Sequence, residues 1–378
     1  MIKQLKFLVF ALLLLPAIMN AQVTTSALSG KISSNSEPVI GATVVATHTP
    51  SGTTYGAVTN VKGRYFIQGM RVGGPYTIVI SSVGYQKVEI IDIQLALGET
   101  STYDAKLNES TQQLNEVIVS ARSGVRSAAG GAATNFNQKQ ITDAPTIDRN
   151  IYDIAKLSPL VSASKIGGLS IAGSNNRYNS FQIDGMVSND VFGLAGSGTN
   201  GGQTSANPIS LDAIQEIQVV VSPFDVRQSG FTGGGINAIT KSGTNKFKGS
   251  AYGYYTDQSL YGKWSQVNEV EAKLNTQSTK TAGFTVGGPI IKDKLFFFAG
   301  AEYKYDTYPS DYYPGYTSKY VSTAEAQAIV NKYAQITGNK DVFSKQNVNT
   351  KGLSLLGRLD WNINDNNKFS FRYQLKTA

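Results

Sequence analysis

Apolar and polar residues alternate along residues 357–378, and this alternation constrains the fold more than any other feature of the sequence. A period of two is that of a β-strand, in which successive side chains point to opposite faces. One face is apolar and contains Leu359, Trp361, Ile363, Phe369, Phe371, Tyr373 and Leu375. The other face is polar and contains Arg358, Asp360, Asn362, Lys368, Ser370, Arg372 and Gln374. A protein core or a lipid bilayer could cover the apolar face, and the alternation alone does not decide between them.

Residues 1–21 have the pattern of a cleavable secretory signal. Lys3 and Lys6 precede an apolar stretch at residues 7–18, and cleavage is expected after Ala21. The apolar stretch is shorter than the ~20 residues of a transmembrane helix, and no later stretch approaches that length. The sequence therefore predicts an exported protein, which would enter a membrane only as strands.

The composition offers few side chains for catalysis or metal binding. The 378 residues include no cysteine and one histidine, His48, which we expect on the surface of a strand or turn. Metallopeptidase and nucleophilic chemistry therefore lack their usual residues, and we predict no enzyme. The glycines at 196, 198 and 201 match the dinucleotide fingerprint only formally, because they lie in a polar loop. We predict no catalytic, cofactor or metal site, and the scattered basic residues do not favour nucleic-acid binding.

Residues 22–110 are predicted to form an all-β sandwich of the immunoglobulin-like class. Short β-branched and aromatic runs alternate with Gly, Pro, Asn and Ser, which corresponds to about seven strands. The segment resembles the carboxypeptidase regulatory-like domain, on the strength of Gly41-Ala42, Gly63-x-Tyr65-x-Ile67, Gly74-x-Tyr76-x-Ile78 and Gly84-Tyr85.

Residues 111–133 form a polar linker that encloses one β-prone run, "EVIVSA". The run consists of Glu116, Val117, Ile118, Val119, Ser120 and Ala121. Such a run can add to the edge of another protein's sheet through main-chain hydrogen bonds. It can equally be the first strand of the following domain, and its spacing leaves both interpretations open.

Residues 134–245 have a mixed α/β pattern. Ile147, Ile151, Ile154 and Leu157 predict one face of a helix with Thr146 as its N-cap. A second, short helix is predicted to begin at Ser210, and the runs "GGLSIAG", "NSFQIDGM", "EIQVVVSP" and "GGGINAITKSG" predict strands.

Residues 246–378 are predicted to form about five antiparallel strands. Short turns at "PIIKDK" and "NDNN" alternate with long excursions at residues 256–280 and 306–352, which is the pattern of an outer-membrane barrel. As an extended strand, residues 353–363 would be about 36 Å long. If the strand is tilted by ~40° from the membrane normal, its height across the membrane matches the apolar band of an outer-membrane barrel. Phe296 and Phe298 interrupt the alternation of one strand. The second excursion contains a helix with a capping box at Ser322 and Glu325 and a stop at Gly338.

The α/β segment resembles the plug domain of TonB-dependent outer-membrane receptors. The matching stretches, in the order of that family, are "EVIVSA" at the TonB box, "IAGSNNRYNSFQIDGM", "LDAIQEIQVVVSPF" and "GGGINAITKSGTN". "FTVGGPIIKDKLFFFAGAEYKY" is more similar to Oar-like (OmpA-related) than to SusC-like receptors, and a preceding sandwich is usual in receptors from Bacteroidetes-type bacteria. Such barrels close with about 22 strands, so the chain resembles the N-terminal part of a longer receptor with an incomplete barrel.

The resemblance implies active transport across the outer membrane of a Gram-negative bacterium, with the sandwich in the periplasm. The implied partners are membrane lipid, TonB with ExbB and ExbD, an extracellular metal chelate, vitamin, glycan or peptide, and a surface lipoprotein. Residues 116–121 would contact TonB. The residues expected to contact the substrate at the plug apices are Arg177, Tyr178, Asn189, Asp190 and Phe192. The alternative is an adhesion or structural outer-membrane protein without transport.

Overall fold

The structure is a computed structural model that describes most of the chain. The described residues are 23–110, 117–120, 126–128, 132–146, 149–163, 168–190, 192, 195–202, 207–221, 228, 231–261, 263–265, 271–273, 276–309, 322–339, 347–365 and 367–377. The predicted signal at residues 1–21 lies outside them, as do Glu116, Ala121 and Ile147. None of the helices in this described part has the length and hydropathy of a transmembrane helix.

Residues 26–106 form two packed sheets, which we call the sandwich. Its strands are β1 (Ser26–Ser34), β2 (Glu37–Pro38), β3 (Thr43–His48), β4 (Thr53–Val58), β5 (Arg64–Met70), β6 (Gly73–Ser81), β7 (Val88–Leu95), β8 (Thr100–Thr102) and β9 (Ala105–Lys106). In one sheet β1 pairs with β2, β5, β8 and β9, and the other has the order β7-β6-β3-β4. Alternate residues such as Leu28, Ile32, Ile78 and Ile80 are buried between the sheets, so the period-two pattern forms the core.

His48 is buried, and the prediction of a surface position is wrong. Its side chain is 7% exposed, its Nδ1 lies 2.6 Å from the Ser51 hydroxyl, and its ring lies 5.0 Å from that of Tyr76. Val44 and Ala46 precede it on the inward face of β3, so the strand period carries His48 into the core. Burial, together with the charge of Arg71, lowers the pKa of His48 to about 3, which keeps the imidazole neutral.

The linker contributes one strand to each sheet of the sandwich. Strand β10 (Val117–Ser120) pairs in parallel with β7, and β11 (Arg126–Ala128) pairs antiparallel with β8. The run "EVIVSA" is therefore not the first strand of the following domain, which begins with β12 (Ala132–Asn137).

Residues 132–240 form a second unit, the middle domain. After β12 its elements are α1 (Gln138–Asp143), α2 (Ile151–Ala155), β13 (Val161–Ala163), β14 (Leu169–Ile171), β15 (Ser180–Ile183), β16 (Met186–Val187), β17 (Ile214–Val221) and β18 (Gly234–Thr240). Five strands form a sheet in the order β12-β17-β18-β15-β16, and β13 pairs with β14. Residues from α1, α2 and this sheet share one apolar core, which includes Ile141, Ile154 and Ile217.

Helix α2 starts later than the sequence predicts. Asn150, not Thr146, is the N-cap, and its side chain accepts from the Asp153 N–H at 2.8 Å. Arg149 has a φ of 47°, and this left-handed conformation prevents the helix from extending towards Thr146. Leu157 lies beyond the helix and is 50% exposed, so it does not belong to the apolar face. Ser210 caps the 3-10 helix Leu211–Ala213, as predicted.

After the middle domain, five strands form an antiparallel sheet, which we call the C-terminal sheet. Two short strands and one helix lie in its long loops. The elements are β19 (Lys248–Asp257), β20 (Lys263–Ser265), β21 (Glu271–Lys273), β22 (Ser278–Ile291), β23 (Leu295–Pro309), α3 (Thr323–Thr337), β24 (Asn347–Asn362) and β25 (Lys368–Thr377). The sheet order β19-β22-β23-β24-β25 follows the chain, and β20 pairs with β21 in the first long excursion. In the second, α3 has the predicted capping box at Ser322 and Glu325 and ends at Gly338.

The two faces of the C-terminal sheet differ as the alternation predicts. On the apolar face, Trp361 is 46% exposed, and Leu359 and Phe371 are similarly exposed. On the polar face, Asp360 is 1% exposed because the middle domain and the sandwich cover it. Phe296 and Phe298 interrupt the alternation because both are buried on the covered face, where Phe298 joins the core of the middle domain. The predicted multi-domain fold class is confirmed.

Candidate functional site

The middle domain is fixed to the polar face of the C-terminal sheet by a charge cluster around Asp184, whose ion-paired side chains are 11–16% exposed. Arg358 Nη1 lies 3.5 Å from Asp184 Oδ1, and Arg372 Nη1 lies 3.3 Å from Asp184 Oδ2. Thr240 donates to the same carboxylate through its N–H at 2.8 Å and its hydroxyl at 2.6 Å. Asp360 accepts from Arg358 Nε at 2.9 Å. Opposite charges face one another throughout the cluster, so it holds the two units together.

A second set of contacts joins the middle domain to β19, an edge strand of the C-terminal sheet. Arg149 forms an ion pair with Asp212 at 2.6 Å, and its guanidinium lies 4.3 Å from the ring centre of Tyr254. The hydroxyls of Ser210 and Tyr252 lie 2.6 Å apart. These contacts connect the start of α2 and the 3-10 helix Leu211–Ala213 to β19.

The two ends of the C-terminal sheet have different neighbours. The short-turn end, at which β22 is followed by β23 and β24 by β25, faces the sandwich. There the Asn362 amide donates to Thr53 Oγ1 at 3.0 Å, and Lys368 Nζ lies 3.3 Å from the Tyr55 ring centre. At the opposite, long-loop end, Lys376 Nζ donates to the Asn200 carbonyl of the middle domain at 3.2 Å.

The five residues predicted to contact substrate lie in loops of the middle domain that touch one another. Arg177 and Tyr178 belong to the 3-10 helix Asn176–Tyr178, and the Asn176 amide donates to the Gly196 carbonyl at 2.7 Å. Asn189 forms a β-bridge with Thr199. The shared loop, residues 195–202, lies at the long-loop end of the C-terminal sheet, because Asn200 within it contacts Lys376.

Within this loop cluster the five residues have different local roles. Asn189 Oδ1 accepts from the Phe181 N–H at 2.7 Å, and Asp190 Oδ2 accepts from the Ala195 N–H at 2.6 Å. These two side chains therefore stabilise turns. Phe192 is 81% exposed and Tyr178 is 60% exposed, so both offer aromatic surface at the tip of the domain.

A polar cavity of about 400 Å³ separates these loops from the sheet wall. Its lining includes Tyr152 and Ser197 of the middle domain and Thr256, Asp306 and Tyr308 of the sheet. The Tyr152 hydroxyl donates to Thr199 at 2.5 Å, and Lys304 pairs with Asp306 at 3.1 Å. Burial raises the pKa of Tyr152 to about 12, so its hydroxyl stays protonated and can donate. The cavity suits a ligand rich in hydrogen-bonding groups.

The contact between the sandwich and the middle domain is not predicted by the sequence. The Leu97 N–H donates to Glu216 Oε1 at 2.8 Å, and the Leu97 carbonyl accepts from Gln218 Nε2 at 2.6 Å. Leu97 also packs with Val72 of the sandwich and Ile239 of the middle domain. The available signal was the pair of polar residues Glu216 and Gln218 on one face of a strand that is rich in isoleucine and valine.

Glu216 has an unusual ionisation state at this contact. The residue is 3% exposed, and burial raises the pKa of its carboxyl to about 8, although the Leu97 N–H opposes the rise. Glu99 adds to the rise through like charge. The carboxyl is therefore neutral at pH 7 and accepts the Leu97 hydrogen bond without a buried charge.

Arg71 of the sandwich contacts both of the other units. Its Nη1 donates to Ser242 Oγ at 2.9 Å, just after β18, and its Nη2 lies 3.8 Å from Asp360 of β24. A cavity of about 890 Å³ lies among the three units, and Arg71, Asp184 and Arg358 line it. The arginines and aspartates around this cavity pair with one another, which indicates an interface. Among the described residues, no group of three or more His, Cys, Asp or Glu could hold a metal ion.

Comparison with known families identifies two parts of the chain. Residues 27–108 match the carboxypeptidase regulatory-like domain, and residues 239–319 match an outer membrane beta barrel domain. The first match falls on the sandwich and the second begins at the end of β18.

Two curated relatives are TonB-dependent proteins. The TonB-dependent transporter Oar of Myxococcus xanthus is 30% identical over 258 residues, which cover 64% of this chain and 23% of the relative. The probable TonB-dependent siderophore receptor PirA of Acinetobacter baumannii is 26% identical over 200 residues, covering 49% of this chain and 24% of the relative. The chain thus spans about a quarter of the length of these relatives.

Two solved structures to which the chain is similar are a transporter and a receptor. The outer membrane transporter YddB from Escherichia coli has a TM-score of 0.46 and 16% identity, over 66% of this chain and 34% of that chain. The siderophore receptor PirA from Acinetobacter baumannii has a TM-score of 0.42 and 23% identity, over 65% of this chain and 31% of that chain. The family matches and the curated relatives assign the chain to the outer membrane.

Proposed function

We propose that this chain belongs to a TonB-dependent transporter that binds an extracellular nutrient and imports it into the periplasm. The observation that carries the proposal is the position of the middle domain on the polar face of an outer-membrane barrel sheet. A domain held there by Asp184, Arg358 and Arg372 acts as a plug, and transport requires that it move. Moving a plug against buried ion pairs requires energy from outside the protein.

The orientation of the chain follows from its loops. Outer-membrane barrels have short periplasmic turns and longer extracellular loops. The sandwich contacts the short-turn end, so the proposal places it in the periplasm. The loops with Tyr178, Phe192 and residues 195–202 then face outwards, where substrate arrives.

Five residues are proposed to contact substrate: Arg177, Tyr178, Asn189, Asp190 and Phe192. Phe192 and Tyr178 have the accessible surface for direct contact, while Asn189 and Asp190 shape the loops. The candidate substrate classes are a metal chelate, a vitamin, a glycan and a peptide. One of the curated relatives is named as a probable siderophore receptor, which favours a metal chelate among these classes.

Residues 116–121 are proposed as the strand that TonB binds, and ExbB and ExbD would energise TonB from the inner membrane. A surface lipoprotein is a further proposed partner on the outer side. The curated relatives are a transporter and a receptor, and the proposed protein likewise makes and breaks no covalent bond.

The test is energised uptake by cells that express the full-length protein, with and without TonB. Proline at Val117 and Val119 removes two main-chain donors from the strand and should abolish uptake. The matched control carries proline at Gln113 and Asn115, which have the same spacing outside the six residues. Uptake that is equal in all strains, together with retained surface binding, would instead support the adhesion protein.

A further inference from the structure

Strand β10 is an edge strand of a sheet in the sandwich. Its residues pair in parallel with β7 at four positions: Val117 with Val88, Ile118 with Glu89, Val119 with Ile90 and Ser120 with Ile91. The sheet order β10-β7-β6-β3-β4 places β10 at its end. Within the described residues, no strand pairs with the outer edge of β10.

The linker is fastened to the sandwich at a second point. After residues 121–125, strand β11 pairs antiparallel with β8, through Arg126 with Thr102 and Ala128 with Thr100. The chain therefore adds one strand to each sheet before it enters the middle domain at Ala132. Two attachments on one rigid unit fix the position and direction of β10.

We propose that the sandwich presents β10 as a preformed docking edge, to which a periplasmic protein with an open sheet edge adds as the next strand. This inference rests on the proposed function, in which that partner is TonB. An isolated linker strand must be ordered when its partner binds, whereas a strand already paired with β7 is ordered beforehand. Unpaired main-chain groups along an edge are a template for a further strand, whatever its side chains.

This arrangement assigns a function to the sandwich. The sandwich contacts the middle domain through Leu97 and the C-terminal sheet through Arg71. A partner strand on β10 would thereby be connected to both units through one folded domain. The linker would not have to leave the sandwich before the partner binds.

Residues 1–378 contain no cysteine, so introduced thiols allow a direct test in the full-length protein once any cysteine elsewhere in it is replaced by serine. Glu89→Cys and Ile118→Cys place two thiols at directly opposed positions of β7 and β10. The control pair is Thr54→Cys with Ile118→Cys, because Thr54 lies on β4 at the opposite edge of the same sheet. Oxidation in isolated outer membranes, read by mass spectrometry of the linked peptides, should cross-link the opposed pair at least tenfold faster.

Binding of the purified C-terminal domain of TonB is then compared between the oxidised and reduced forms of the opposed pair. We expect the oxidised form to bind as tightly as the reduced form, or up to tenfold more tightly. The inference is overturned if the opposed pair cross-links no faster than the control pair. It is also overturned if oxidation weakens binding tenfold or more and a reductant restores it, because the strand must then leave β7.

These outcomes separate the inference from the proposed function. Binding by the reduced form shows that the protein is folded and that the TonB assignment holds, whatever oxidation does. A reduced form that does not bind TonB, in cells whose uptake is also independent of TonB, would contradict the proposed function and this inference with it.

Discussion

The guanidinium of Arg358 lies 3.5 Å from the carboxylate of Asp184, so one ion pair joins the wall of the C-terminal sheet to the middle domain. Arg372 approaches the same carboxylate from the neighbouring strand at 3.3 Å. Asp184 is thus the common partner of two arginines on one sheet face.

Asp184→Asn should weaken the attachment of the middle domain. The substitution preserves shape but leaves Arg372 without its charge partner, while Arg358 retains Asp360. We expect a loss of about 2 kcal/mol in the free energy of unfolding, below the usual cost of breaking a fully buried pair. Denaturant unfolding of the full-length protein in detergent measures it. Asp143→Asn is the control, because its pair with Lys139 is exposed, and equal losses in both variants would refute the role of Asp184.

The contact between sandwich and middle domain should weaken as the pH rises from about 4.5 to about 8. The pKa of Glu216 is raised from 4.5 to about 8 in the docked protein, so the docked form binds the extra proton throughout this window. When the two units are apart, a solvated Glu216 is ionised over this pH range. The equilibrium constant for docking should therefore fall by up to about tenfold per pH unit. Hydrogen exchange at Leu97, corrected for intrinsic pH dependence, reports the change.

Glu216→Gln should remove this pH dependence, because the amide retains an acceptor for the Leu97 N–H and does not titrate. Glu37→Gln is the control at an exposed strand position and should behave as the natural protein does. Exchange at Leu97 that keeps its full pH dependence in Glu216→Gln would assign the effect to another group.

Trp361 should report a lipid environment. Residues 1–378 contain two tryptophans, so Trp264→Phe, with any tryptophan elsewhere in the full-length protein also replaced by phenylalanine, leaves Trp361 as the only tryptophan. Its ring belongs to the exposed apolar face of β24, which we expect to face hydrocarbon in the outer membrane. Brominated lipids in proteoliposomes should quench its fluorescence strongly, and iodide in the aqueous phase should quench it little. The reverse order would place this face in water or against protein.

Phe192→Ala and Tyr178→Ala should reduce the affinity for substrate without reducing stability. Both side chains are largely exposed, so their truncation leaves no cavity. Loss of an aromatic contact corresponds to about tenfold in affinity. Substrate binding to whole cells measures the effect. Phe66→Ala is the control, because Phe66 is a half-exposed aromatic residue of the sandwich, and a similar loss there would exclude a specific role for the loops.

Local patterns predicted much of the fold. Period-two alternation predicted the five strands β19, β22, β23, β24 and β25 and the outward face with Trp361, because the identity of each strand face is fixed by neighbouring residues. It did not predict the short strands β20 and β21, which lie in the first long excursion. Ser322, Glu325, Gly338 and Ser210 were recognisable as caps because capping is a short-range hydrogen-bond pattern. Tyr178 and Phe192 lie exposed on loops of the middle domain, and their contact with substrate stays a prediction.

By itself, the sequence determined where strands, turns and caps form, since each depends on residues a few positions apart. Only the tertiary structure decided that Leu97 meets Gln218 across 121 residues, that Arg358 meets Thr240 across 118, and that β10 joins β7. It also buried His48 and moved the start of α2 to Ile151 through the left-handed backbone of Arg149. Such pairings depend on which surfaces pack together, and any of several polar residues could have satisfied the same local pattern.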